Sequence, residues 1–345
     1  MPTKGGSEWR RQEEGSGFTK RFIGITKGNC MSKIYVIHEN YQWFEPIKNV
    51  LLERHLPFES WYMESGSVHL SELPQKGVYF SKMSASSSTR DHRFSPDYAF
   101  ALLSYLEANK SRVINGSNVL RLEISKVEQY ICLKKSGIPV PETAACFGKH
   151  HLLETARRFK SPFILKPNRG GKGIGVQLFR SHHLLEEYLS ENTCDESVDG
   201  IMLIQEYIES PEPFVTRLEF IGGKFVYAVR VDTSEGFELC PAEACRVDVP
   251  AQADEFCAID ARGGLFEIIE GFNHPIIGKL EAFLHHHSIE IAGVEFIRDK
   301  NDGLYVYDVN TNTNYNPEAE EKAGVSALQT LADFLEDELK KQFSQ

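Results

Sequence analysis

The stretch Phe163-Ile164-Leu165-Lys166-Pro167-Asn168-Arg169-Gly170-Gly171-Lys172-Gly173-Ile174-Gly175-Val176-Gln177-Leu178-Phe179 has two apolar arms of strand length around a basic loop dense in glycine. Glycine turns tightly and lets bare backbone N–H groups approach an anion. Lys166, Arg169 and Lys172 add positive charge, and the combination suits a polyphosphate. A P-loop is excluded, because no Ser or Thr follows Gly171-Lys172. A dinucleotide loop is excluded by the glycine spacing and by Val176-Gln177-Leu178-Phe179, which reads as a second strand rather than a helix. What remains is a hairpin whose tip folds over phosphates, with an ordinary long hairpin turn as the alternative for this stretch taken alone.

Around this hairpin the chain alternates strand and helix. Upstream, Ile34–Ile37, Phe58–Tyr62, Val78–Phe80 and Arg112–Asn115 read as strands, with helices over Trp43–Leu56 and Pro96–Glu107. That order predicts a parallel, Rossmann-like α/β domain over residues 31–120, which would bind ligands at the C-terminal strand ends. The loop Ser84–Arg90 follows such a strand and reads either as a site wall or as a polar loop. A helix over Leu122–Gly137 leads into a β-α-β-β-α unit from Val140 to Glu191, made of the strand Thr143–Phe147, a helix over His150–Phe159, the hairpin and a helix over His182–Leu189, which reads as a small mobile lid within a subdomain of residues 121–200. The C-terminal core, 201–345, opens on the strand Ile201–Ile208. It continues with a hairpin of Phe214–Ile221 and Lys224–Val231 around Gly222-Gly223. A helix over Phe272–His287, strands Ile291–Arg298 and Leu304–Val309, and an amphipathic helix over Val325–Phe343 complete it. Residues 1–30 are rich in Gly, Lys, Arg and Glu; they read as a disordered tail or upstream extension, with Met31 the expected natural start.

Composition narrows the function. The 345-residue chain carries a net charge of −11, which argues against nucleic acid or an anionic membrane as partner. No apolar run is long enough to cross a bilayer. Seven scattered cysteines without a Cys-x-x-Cys read as reduced thiols in a cytoplasmic protein. Neighbouring residues of His285-His286-His287 point in different directions on a helix, so the run reads as a solvated face rather than a metal site.

Four constellations carry chemistry. Lys126, near a helix start, and Lys166 supply fixed cations for phosphate oxygens. The strand end Gln205-Glu206-Tyr207-Ile208 can read an adenine edge with its backbone while apolar side chains hold the ring. Asp308 and Asn310, at i and i+2, share one face of a strand next to the one bearing Glu295. These are hard oxygen ligands suited to Mg²⁺, and a solvated sheet face is the alternative. Arg217 and Arg230 lie on the two arms of the core hairpin and could reach a common centre.

The order helix lysine, strand lysine with glycine hairpin, adenine-type strand end, paired arginines and three oxygen ligands resembles the ATP-grasp superfamily. Within it the chain is similar to the RimK-type carboxylate–amine ligases, which include glutamate ligases and relatives of glutathione synthetase. Val113-Ile114-Asn115-Gly116, Gly137-Ile138-Pro139-Val140-Pro141-Glu142-Thr143, Gln205–Ile208 and Arg217 with Gly222-Gly223 carry the likeness, from about residue 110 onward. It implies an ATP-grasp fold behind the α/β domain, and an ATP- and Mg²⁺-dependent enzyme, with Mn²⁺ as alternative ion. It would form an amide or peptide bond through an acyl phosphate, from a small acid and an amino-acid or peptide amine. It further implies that Lys126, Lys166, Gly170, Gly171, Lys172 and Gly173 surround the phosphates, and that Gln205 to Ile208 hold adenine. Glu209 or Glu212 would hold ribose, Glu295, Asp308 and Asn310 the metal, and Arg217 and Arg230 would serve catalysis. Three departures stand out. The first metal acid is Glu295 rather than Asp. Thr311-Asn312-Thr313-Asn314 replaces a Pro-Gly turn. The Arg-Ser-Asn segment of glutamate-adding enzymes is missing, with Phe237–Glu243 in that region. A kinase of the same fold and a non-catalytic ATP-binding regulator are the rival functions, and the acid, the amine and any homo-oligomer are left open.

Overall fold

The structure is a computed structural model and describes residues 32–171, 173–191, 196–234 and 266–343. The expectations for residues 1–30, Lys172 and residues 237–243 lie outside the described residues.

The first sheet is parallel throughout. β1 (Lys33–His38), β2 (Phe58–Tyr62), β3 (Gly77–Lys82) and β4 (Arg112–Ile114) lie in the order β2-β1-β3-β4. β1 is buried on both faces, as a parallel strand between helices must be, and its alternate residues separate into two cores. Ile34 and Val36 pack with Phe44, Ile47 and Leu51 of α1 (Tyr41–Glu53). Tyr35 and Ile37 pack with Leu102, Leu103 and Leu106 of α2 (Ser95–Ala108). Asn40 starts α1 by accepting from the backbone N–H groups of Gln42 and Trp43.

The helix expected over residues 122–137 is two helices, α3 (Ser117–Glu123) and α4 (Lys126–Lys135). Ser125 is extended between them, and its hydroxyl accepts from Glu128 N at 3.3 Å. This N-cap makes Lys126 the first residue of α4.

The second sheet is antiparallel, in the order β5-β8-β6-β7: β5 (Thr143–Phe147), β6 (Phe163–Pro167), β7 (Gln177–Phe179) and β8 (Ile201–Glu206). α5 (Leu152–Ala156) and α6 (His182–Ser190) cover it. Two boundary expectations are corrected here. β8, expected to open the core at 201, is hydrogen-bonded between β5 and β6, and its Met202 and Ile204 bury in the lid's own apolar cluster. Conversely α4 and the end of α3, expected in the lid subdomain from residue 121, bury Leu122, Tyr130 and Leu133 in the core cluster with Leu218, Phe220 and Val294. By packing, the lid runs from β5 to β8.

The third sheet is antiparallel, in the order β11-β10-β9-β12-β13: β9 (Phe214–Ile221), β10 (Lys224–Asp232), β11 (Phe266–Ile269), β12 (Ile291–Arg298) and β13 (Leu304–Asn310). α7 (Ile276–His286) covers the face bearing Leu218, Phe220 and Ala228, opposite the face bearing Val215, Val229 and Val231. α8 (Pro317–Ala323) follows β13, and α9 (Ala327–Phe343) places Leu331, Leu335 and Leu339 in one cluster with Val36, Val78, Val215 and Val229. The first and third sheets therefore share a core. β11 and α8 were not expected: β11 has four residues and exists by pairing with β10, and α8 is a seven-residue helix whose signals, Asn316 as cap and Pro317 at the first position, are purely local.

Candidate nucleotide and metal site

A cleft of about 690 Å³ opens where the three sheets meet. Lys126, Lys166, Gly170, Gly171, Gly173, Gln205, Glu206, Tyr207, Ile208, Arg217, Glu295, Asp308 and Asn310 all line it.

The lid supplies the roof. Ile164 and Lys166, two apart on β6, share a face, and Leu178 lies directly opposite Ile164 on β7. Together with Val176, Ile208 and Ile297 they form an apolar slot that suits a purine ring. The β5–β8 ladder ends at Glu206, whose N donates to Glu142 O at 2.9 Å and whose Oε1 accepts from Glu142 N at 2.6 Å. The chain then leaves the ladder, and Tyr207 and Ile208 line the slot. Of the two ribose candidates, Glu212 lines the cleft and Glu209 does not.

The glycine loop runs along one wall, with Gly173 and Gly175 at φ 77° and 75°, a region that disfavours any side chain. Its base is tied to α4: Asn168 Oδ1 accepts from Val127 N at 2.9 Å, and Asn168 O accepts from Lys126 N at 3.2 Å. The two expected phosphate lysines are thus held by one residue between them. Arg169 turns away and pairs with Asp97 at 3.1 Å.

The floor is an ionic ladder. Glu295 on β12 lies directly between Arg217 on β9 and Asp308 on β13, so all three point to one face. Arg217 is buried. It donates to Glu295 Oε1 at 3.1 Å, to Glu219 Oε1 at 2.5 Å and to the Thr313 hydroxyl. Burial opposes its charge, but Glu219 and Glu295 outweigh that and hold its pKa above the ordinary arginine value. Its guanidinium lies over Gly293, where a Cβ would come within 2.5 Å of Nη2. Lys126 Nζ donates to Asp308 Oδ1 at 2.5 Å; burial again opposes the charge, and Asp308 more than restores it. Lys166 Nζ donates to the Tyr130 hydroxyl at 2.6 Å, which donates on to Tyr307 O at 2.7 Å.

The oxygens fit a divalent cation. Burial raises the proton affinity of Glu295; Arg217 opposes that, and Asp308 adds to it. A cation shared by both carboxylates would relieve the burial and the repulsion together. Asn310, the third residue expected to offer an oxygen, lines the same cleft, and its Oδ1 accepts from Asn312 N at 3.1 Å. The set holds two carboxylates and an amide, and among the described residues no group of three His, Cys, Asp or Glu gathers as a metal site.

Arg230 is a correction. It pairs with Thr216, not Arg217, and a strand's two-residue period sends neighbours to opposite faces. It is exposed, 4.3 Å over the Phe214 ring, and does not line the cleft. Sequence reasoning also missed several wall residues. Half-buried Glu123 accepts from Thr311 N at 2.7 Å and from Ala85 N at 3.2 Å, joining the end of β13 to the Ser84–Arg90 loop. Gln129 bridges Leu122 O and Val309 O. Trp43, Ser84, Ser86, Arg180, Asn312 and Asn314 line the cleft as well. Only the serines and the Thr311–Asn314 run had drawn attention, the serines for following a strand and the run for departing from a pattern.

Two facing sheets that close a basic glycine hairpin over an oxygen-ligand ladder define the ATP-grasp class. The RimK-like ATP-grasp domain profile matches residues 124–238. A protein of Haemophilus influenzae (strain PittEE) named "Probable alpha-L-glutamate ligase" is 26% identical over 242 residues, 68% of this chain and 71% of that protein. "Alpha-aminoadipate--LysW ligase LysX" of Sulfurisphaera tokodaii is 28% identical over 178 residues, 49% of this chain and 61% of that protein. In fold, the ATP-grasp ligase PsnB complexed with minimal precursor superposes with a TM-score of 0.61 at 16% identity, over 89% of this chain and 99% of that one. D-cycloserine synthetase DcsG gives 0.56 at 17% identity, over 88% and 99%. Residues 124–238 thus carry a RimK-like ATP-grasp domain, the curated relatives are named as ligases, and the fold is that of the ATP-grasp ligases.

Proposed function

We propose that this chain uses MgATP to activate a carboxylic acid as an acyl phosphate and joins it to the amine of an amino acid or peptide. A carboxylate oxygen of the substrate bonds to the γ-phosphorus and ADP leaves. The amine nitrogen then bonds to the acyl carbon, phosphate leaves with the C–O bond electrons, and the nitrogen loses a proton. The observation that carries this reading is the convergence of Lys126, Lys166 and Arg217 with the Glu295–Asp308 pair in one cleft. Phosphoryl transfer asks mainly for positioning and for opposite charge around the moving group. Glu295, Asp308 and Asn310 would hold Mg²⁺, which would supply charge neutralisation at the nucleotide phosphates. Lys126 and Lys166 hold phosphate oxygens, the slot at Ile164, Leu178 and Ile208 holds adenine, and Glu212 is placed for ribose. Arg217, held by Glu219, Glu295 and Thr313, would supply fixed positive charge near the transferring group. The relatives named glutamate and α-aminoadipate ligases support an amino acid as one partner. A cytoplasmic setting is part of the proposal, supported by the free thiols of Cys132 and Cys146; no helix among the described residues is long and apolar enough to cross a membrane.

The test is ADP release with pooled amino acids and small peptides, the product being identified by mass. With a substrate acid labelled in its carboxylate, oxygen-18 is expected in the released phosphate. Label retained entirely in the organic product, together with a phosphorylated product, would replace the ligase by a kinase.

A further inference from the structure

Lys82 ends β3 at the seam between the first sheet and the segment after β13, and it is 4% exposed. Its Nζ donates to Asn312 Oδ1 at 2.8 Å, Thr313 O at 2.9 Å and Asn314 Oδ1 at 3.1 Å. In each contact Nζ is the donor, so both amides present their oxygen to Lys82. The Nδ2 branches are then turned away from it, and both asparagines line the cleft. Among the described residues neither Nδ2 donates to a protein acceptor. Ser84 and Ser86 extend the same wall. The arrangement is held against a penalty, because burial lowers Lys82 to about 7 even though Glu123 pulls the other way.

This wall begins where the metal ligands end. Asn312 is two residues past Asn310 and donates its backbone N–H to that side chain, and Arg217 grips Thr313 between the two amides. The nearby carboxylate of Glu39 is committed to Arg90 and His92, so it does not offset the donors. We infer that Asn312 and Asn314, their amides oriented by Lys82, form a donor wall that binds a substrate carboxylate beside the metal triad. The inference rests on the ligase reading. The carboxylate belongs either to the acid being activated or to the α-position of an amino acid supplying the amine. Lys82 is a positioning residue that acts through the two amides.

The full chain loaded with Mg²⁺ and a non-hydrolysable ATP analogue is titrated with the proteinogenic L-amino acids and their α-amides. At least one acid is expected to bind more tightly than its amide. Asn312→Asp and Asn314→Asp keep the shape but replace an NH₂ donor by an anionic oxygen. Each should raise the Kd for that acid about tenfold or more, with the amide and the nucleotide changed less than about twofold. Lys82→Met should act in the same direction, and the two asparagine variants stand if it does not fold. Equal binding of acid and amide by the wild type, no binding of any member, or a parallel change for both in the variants would overturn the wall. Hydroxylamine as the amine then separates the sources. A raised KM for the acid in hydroxamate formation assigns the wall to the activated acid. A raised KM only for the amino acid in the complete reaction assigns it to the amine partner. Retained acid preference without any hydroxamate would refute the ligase and leave the wall standing.

Discussion

Asp308→Asn is nearly isosteric, and it removes one charge at two consequential contacts. The Lys126–Asp308 pair is 2.5 Å long, with the side chains 14% and 23% exposed. Removing one partner of a buried pair costs about 3–5 kcal/mol, because the other charge stays buried. The lower figure applies here: asparagine can still accept from Lys126, and Glu123 still offsets its charge. For 345 residues at about 2.1 cal/mol/K each, the unfolding entropy is about 0.7 kcal/mol/K, so about 3 kcal/mol lowers Tm by about 4 °C. The fold should survive that loss. Turnover should not, since the proposed metal ligand loses its charge and keeps only a weaker amide oxygen, with a fall of at least about a hundredfold. Calorimetric melting without nucleotide reads the first effect, and ADP release at saturating Mg²⁺ reads the second. Lys126→Met and the double variant complete a cycle, in which a favourable coupling of about 2 kcal/mol is expected. An unchanged Tm with near-normal turnover would refute both the pairing and the metal assignment.

Three more outcomes can be checked. Amide exchange over residues 168–175 should slow when MgATP analogue binds, since the loop carries glycines at positive φ and few internal bonds; equal exchange in both states would remove it from the nucleotide site. Arg217→Lys should keep nucleotide binding and lose most turnover, about several hundredfold, because one ammonium cannot serve Glu219, Glu295 and Thr313 together, whereas exposed Arg230→Ala should leave kcat within about twofold; the opposite ranking would restore Arg230 to the site. Burial, aided by Lys82 and opposed by the Asn40 carbonyl, lowers His38 from 6.5 to about 4, so its neutral form contributes full stability above pH 6.5. That contribution, about 3 kcal/mol, is lost as pH falls through 4, and denaturant melts should show a smaller acid loss in His38→Gln than in the wild type.

Much of the site could be read in order along the chain. The two lysines, the glycine hairpin, the β8 end and the Glu295, Asp308, Asn310 set are local patterns: strand period, loop chemistry and ligand type are properties of a few adjacent residues. The sequence by itself therefore determined the fold class and picked out residues that line one cleft. Tertiary structure alone decided three things. It assigned β8 to the lid, because alternate side chains of one strand serve two cores and only the partners show which sheet owns the ladder. It separated Arg217 from Arg230, since facing strands bring side chains together only in matching register, and register comes from pairing. It also brought Lys82 to Asn312 and Asn314 across about 230 residues of chain, a contact created by α9 docking the first sheet onto the third. No periodicity encodes that meeting; it follows from burying both sheets against one helix.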